Sequence, residues 1–133
     1  MSLDVSPELI EQAERGEIDE RAFVRTVATS LPYAWTVVSR VAERLRDGET
    51  TAAGFAEDAT PPPSEAERGE LLRALASDSI RGALERHLQV RLAFQNCHRV
   101  AAFHPEDAGG AAHRAFTSPR AQVLNQTPAL RHC

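Results

Sequence analysis

Apolar residues recur at helical spacing through most of the chain, and the clearest stripe is Ala34, Val37, Val38, Val41, Ala42 and Leu45. Pro32 opens that segment and Gly48 closes it, with Arg44 and Arg46 in the last turn, where cations complement the helix dipole. Tyr33 and Trp35 stand at the edge of the stripe, a position where aromatic rings usually pack as core or rim. Two shorter helices precede it. Ser6, Pro7 and Glu8 supply an N-cap, an N1 proline and an acidic first turn; Leu9, Ile10 and Ala13 form the apolar face, and Gly16 stops the helix. Asp19 caps the second helix, and Ile18 with Phe23 fits a hydrophobic staple across its start. Phe23, Val27 and Leu31 line one side, and Pro32 ends it by pushing Leu31 out of the helical region.

Residues 49–63 end in three consecutive prolines, which cannot continue a helix and predict a surface loop. Ser64 to Glu67 spells a capping box. From there Leu72, Leu75, Ala76, Ser79, Ile80, Ala83, Leu84, His87 and Leu88 continue one stripe, which predicts a single long helix over 64–88, bent near Ser77–Asp78 and Gly82. His87 on that stripe reads as a core histidine. Beyond Leu88 the period changes to two. One reading is a hairpin of Val90–Phe94 and Arg99–Phe103, turning at Gln95–His98. The other is continued helix with Val90, Phe94, Cys97 and Ala101 on one face. The alternation favours the hairpin. A loop over 105–110, a turn of helix over 111–116 and a short helix from Ser118 to near Asn125 complete the pattern. The expected fold class is mainly α: one helical bundle over 1–133, with a short β-hairpin near 90–103. Its parts are an acidic region 1–48, the Pro-rich loop 49–63, and a long helix with a Cys- and His-bearing region over 64–133.

Composition adds an asymmetry. The 133 residues carry 42% hydrophobic and 26% charged side chains, the balance of an ordinary water-soluble protein. All 15 basic residues are arginine, and alanine is abundant, the signature of GC-rich coding. Residues 1–70 have a net charge of −8 and residues 71–133 a net of +4. Attraction between the two halves inside one fold accounts for this better than a basic face for an anionic partner. The acid excess and the lack of lysine disfavour nucleic acid. No apolar run approaches the roughly 20 residues of a membrane span, and the N-terminus lacks a signal-peptide pattern. A cytoplasmic protein is expected, with its two cysteines mostly reduced.

Candidate chemistry concentrates in Leu88 to His104, L-Q-V-R-L-A-F-Q-N-C-H-R-V-A-A-F-H. Cys97 and His98 are the candidate catalytic pair, but on a strand adjacent side chains point to opposite faces, so adjacency alone makes no dyad. Cys97, His98, His87, His132 and Cys133 are the candidate metal ligands. Cys97 and His104 would stand about 10 Å apart along a helix, or about 15–20 Å apart on a hairpin. Either way a local site needs distant help from His87, His113 or the tail. A Cys97–Cys133 disulfide requires the tail to fold back, and a reducing compartment argues against it as a permanent staple. Asn125-Gln126-Thr127 spells a glycosylation sequon, which an intracellular chain does not use and Pro128 disfavours.

Two resemblances follow from these residues. Asp78-Ser79-Ile80 resembles the D-S-[LI] segment of acyl and peptidyl carrier proteins, which implies phosphopantetheine attachment at Ser79. The departures are a helix running into the serine where carriers have a long loop, a stripe that buries Ser79, and Ser77 where the usual glycine would precede the Asp-Ser pair. The stretch R-G-E-L-L-R-A-L-A-S-D-S-I-R-G-A-L-E-R-H-L-Q-V-R-L-A-F-Q-N-C-H-R-V, with L-P-Y-A-W before it and N-Q-T-P-A-L-R-H-C after it, resembles a family of small uncharacterised actinobacterial proteins. That resemblance implies an intracellular bacterial protein and no particular mechanism or cofactor. The leading expectation is a non-enzymatic interaction or regulatory protein with a protein partner or as a homodimer. The rival is a thiol- or metal-dependent protein working through Cys97 and His98.

Overall fold

Central strand burial organises the structure. The computed structural model describes residues 2–126. Helices α1 (Pro7–Glu14), α2 (Glu20–Ser30) and α3 (Pro32–Arg46) are followed by a short strand, β1 (Ala56–Asp58). Then come α4 (Glu65–Leu75), α5 (Asp78–Leu88), β2 (Arg91–Gln95), β3 (Arg99–Phe103), a 3₁₀ turn at Pro105–Asp107, α6 (Ala111–Phe116) and α7 (Pro119–Leu124). The strands form one antiparallel sheet in the order β1-β3-β2, with Ala102 opposite both Ala56 and Leu92, and Val100 opposite both Asp58 and Phe94.

Strand alternation divides the interior. Ala56, Leu92, Val100 and Ala102 face a large core built with Val24 and Val27 of α2, the α3 stripe, Leu71, Ala74 and Leu75 of α4, and Ile80, Ala83 and Leu84 of α5. Ala93, Ala101 and Phe103 face the other way, onto a smaller core with Phe116 of α6, Phe55 and Ala112. Phe103 stacks on Phe55 with ring centroids 4.7 Å apart and takes Phe116 edge-on at 6.0 Å. β3 is therefore covered on both faces, and its four residues from Val100 to Phe103 are all buried. The two-residue alternation read at 90–103 is a hairpin, and the continued-helix reading falls. Cooperation between two cores makes the architecture mixed α and β, where a helical bundle carrying a hairpin was expected.

Local signals hold where they are strong. Ser6, Asp19, Ser64 and Ser118 each accept a backbone N–H at a helix start, and all six residues of the α3 stripe are buried. Leu31, the residue before α3, gives that helix no side-chain cap; Glu70 of α4 supplies a carboxylate to the Tyr33 N–H at 2.8 Å instead. Gln89 ends α5 in the left-handed conformation, φ 57°.

Two expectations need correction. The segment 64–88 is two helices. Ser77 accepts the Ile80 N–H and starts α5 anew, while Arg81 reaches back to the Leu75 carbonyl at 2.8 Å and satisfies an orphan acceptor at the end of α4. The break resets the phase. Leu71, Ala74 and Leu75 are buried in α4, while Leu72, Ala76 and Ser79, all assigned to one stripe, are exposed. His87 is exposed too, and its ring meets Trp35 at 6.0 Å from the outside of the core. The loop 49–63 contains β1, a strand too short to show a period.

The phase reset gives a measurable contrast. Leu71→Ala is expected to cost about 2–5 kcal/mol in denaturant unfolding, whereas Leu72→Ala stays within about 0.5 kcal/mol of wild type. Equal losses at the two positions would restore the continuous helix.

Candidate functional site

The turn joining β2 and β3 carries the chemistry-bearing residues, and its backbone is unusual. Asn96 and Cys97 both adopt positive φ, 54° and 63°, and the His98 N–H closes the turn on the Gln95 carbonyl. Left-handed backbone is familiar for asparagine and costly for cysteine. Surrounding contacts hold it. The Asn96 amide donates to the Asn125 carbonyl and accepts from Gln122 and Gln126, which fastens the turn to α7. His98 is buried, with Nδ1 2.6 Å from the Asn96 carbonyl of its own turn.

Below the turn, the α6 side of the sheet holds a polar cluster. Gln95 is buried and donates to the Phe116 carbonyl at 2.7 Å. Arg99 donates to Gln95 Oε1 at 2.9 Å and to Glu57 Oε2 at 2.6 Å, and lies over the Phe116 ring at 5.2 Å. The α3 side holds a second pair. Asp58 points one residue further along β1, so it faces α3, where its buried carboxylate accepts from Arg40 Nη1 at 2.8 Å and from the Thr60 N–H at 2.8 Å. Arg44 donates to the Glu57 carbonyl at 2.9 Å. Three arginines thus pin one three-residue edge strand. Burial pushes the Asp58 carboxyl up, but hydrogen bonds from the Thr60 N–H and hydroxyl, with the Arg40 guanidinium, outweigh it and hold the group below its ordinary value.

The sequence candidates do not converge. Cys97 is not a free thiol. His98 turns to its own backbone, and His87 packs on Trp35. Ser79 is exposed in the first turn of α5, its hydroxyl 3.2 Å from Ser77 Oγ. The burial held against a carrier-like serine is therefore absent, but only Ala76 and Ser77 separate its helix α5 from α4, so the long preceding loop is lacking too. His113 accepts the Gly109 N–H on Nδ1 and abuts Phe103 edge-on at 5.1 Å. Among the described residues, no group of three or more His, Cys, Asp or Glu is placed to hold a metal ion. The candidates His132 and Cys133, and with them the Cys97–Cys133 pairing, lie outside the described residues.

What sequence reading passed over is a surface. Val5, Leu9, Ile10, Ala13, Ile18 and Phe23 line a shallow groove of about 430 Å³ between α1 and the start of α2, with Glu14 as its polar lining residue. Ile10 and Ile18 are 47% and 49% exposed. Their pattern was visible as a helix face and a staple, but nothing local says whether such a face is covered. A more polar cleft of about 410 Å³ lies between α5, β2 and α6, where Arg81, Glu85, Arg91, His113 and Thr117 gather over Leu75, Leu92 and Phe94. Glu85 is spoken for there: its Oε2 accepts the Leu92 N–H at 2.8 Å and meets Arg91 at 3.6 Å.

Two outcomes test this geometry. Because the folded Asp58 carboxyl titrates below 3.8, its contribution is complete above that pH and is lost as pH falls through the lower, folded value. Asp58→Asn should flatten this acid limb in pH-dependent unfolding and cost about 1–3 kcal/mol at neutral pH, since Arg40 loses its charged partner. An unchanged acid limb would remove Asp58 from the account. At the turn, Asn96→Ala loses both the amide contacts and the left-handed tolerance, at about 1–3 kcal/mol. Asn96→Gly keeps the tolerance and should cost measurably less in the same unfolding assay; an equal cost would mean that backbone strain is not at issue.

Comparison with curated proteins and with solved structures finds no match. Over residues 1–133 the chain matches a family described as NucS shadow ORF, a description that names a reading frame and no activity. The chain belongs to that family.

Proposed function

We propose that this chain is a non-enzymatic interaction protein of the cytoplasm and that the groove between α1 and α2 is its contact surface. The observation that carries the reading is the unpartnered apolar face: Val5, Ile10 and Ile18 are exposed together on one lining. The groove's surroundings select the occupant. Residues 4–20 carry seven acidic side chains and one arginine, so the complementary partner is an apolar protein segment flanked by basic residues. A thiol reading has less support, because Cys97 is not a free thiol and would first have to be reduced to act as a nucleophile.

The family description speaks of a shadow reading frame, so the test starts with the polypeptide itself. Mass spectrometry of cells of the source organism should detect arginine-terminated peptides of this chain. A photo-crosslinking residue at Ile10 should then give a discrete adduct in those cells, absent from the same probe at exposed Arg25 and lost when Ile18→Glu is added. Failure to detect the chain, or equal crosslinking at positions 10 and 25, would overturn the proposal.

A further inference from the structure

We infer that the occupant of the groove is the outer face of α7 from a second copy of this chain, an inference that rests on the groove being a contact surface. Arg120, Val123 and Leu124 stand at i, i+3 and i+4 and share one side of α7. Val123 and Leu124 are 69% and 61% exposed, more than Val5, Ile10, Ile18 or Leu72. The opposite side of the helix is occupied, since Gln122 and the Asn125 carbonyl bond to Asn96 at the hairpin turn. α7 is thus held in place with an apolar pair and an arginine turned outward, and that face is exposed among the described residues.

Charge makes the two surfaces complementary. Residues 108–126 contain Arg114 and Arg120 and no acidic residue, against the acid-rich flank of the groove. Arg120 stands one turn from Val123 and Leu124, so a ridge seated in the groove carries a cation toward an acidic flank to which Glu14 of the lining belongs. The contact is head-to-tail: each copy offers one groove and one ridge, and association extends to rings or open chains with rising concentration. A face of two apolar residues buries less than a standard interface of about 1,600 Å², so the association is weak and reversible.

Sedimentation equilibrium of the full chain tests this from micromolar to millimolar concentration, with covalent dimers excluded by non-reducing electrophoresis. Wild type should self-associate, more weakly at high salt. Ile10→Glu and Val123→Glu should each weaken association about tenfold or more, and an equimolar mixture should recover a 1:1 complex, because one variant keeps its ridge and the other its groove. Both positions are exposed, and unchanged thermal melting confirms that folding is intact. A wild type that stays monomeric, or association indifferent to Val123→Glu, overturns the inference. If Ile10→Glu abolishes association while Val123→Glu does not, the α7 assignment falls and the groove stands as a contact surface. Crosslinking at Ile10 decides the groove separately.

Discussion

The structure depends on burying β3 on both faces. Apart from Arg99 at its start, whose guanidinium is paired with Gln95 and Glu57, the strand presents no polar side chain to either side: Val100-Ala101-Ala102-Phe103 is apolar and buried throughout. Its pleat sends Val100 and Ala102 to the four-helix side and Ala101 and Phe103 to the α6 side. The two alanines matter by their size: they allow the covering layers to approach closely, and Phe103 fills the space against Phe55 and Phe116. β1 and β2 then follow as the strands that satisfy the backbone of β3 on its two edges.

Charge does its structural work at the rims of these layers. The opposite signs of the two halves of the chain meet in Arg86–Glu20, which joins α5 to α2, and in Arg99–Glu57, which joins β3 to β1. Arg86 and Glu20 are both substantially exposed, so that pair fixes geometry more than it adds stability. Asp58 differs, being buried with Arg40 and Thr60 around it. A carboxylate in that place without those donors would be costly, and the clamp therefore selects the register of β1 as well as holding its edge.

These constraints leave two features unabsorbed, the α1–α2 groove and the outer face of α7. Both are apolar, both belong to helices whose other sides are engaged, and they carry opposite flanking charge. His98, first marked for chemistry, by contrast serves the hairpin turn by folding back on it, next to Asn96, which ties the turn to α7.

Local sequence determined the capped starts at Ser6, Asp19, Ser64 and Ser118 and the α3 stripe, and its alternation of two favoured the hairpin over continued helix, because each rests on contacts within a few residues: a cap on its N–H groups, a face repeated every turn. Tertiary structure decided the rest. At the split, Ser77 caps α5 and Arg81 reaches back to the Leu75 carbonyl of α4, contacts that a continuous apolar stripe conceals. β1 exists only because β3 offers an edge and three arginines hold it, and its three residues carry no period of their own. Whether Leu72, Ser79 or Ile10 is buried could not be read from spacing, since a periodic pattern shows which residues share a face and only the packed neighbours show whether anything covers it.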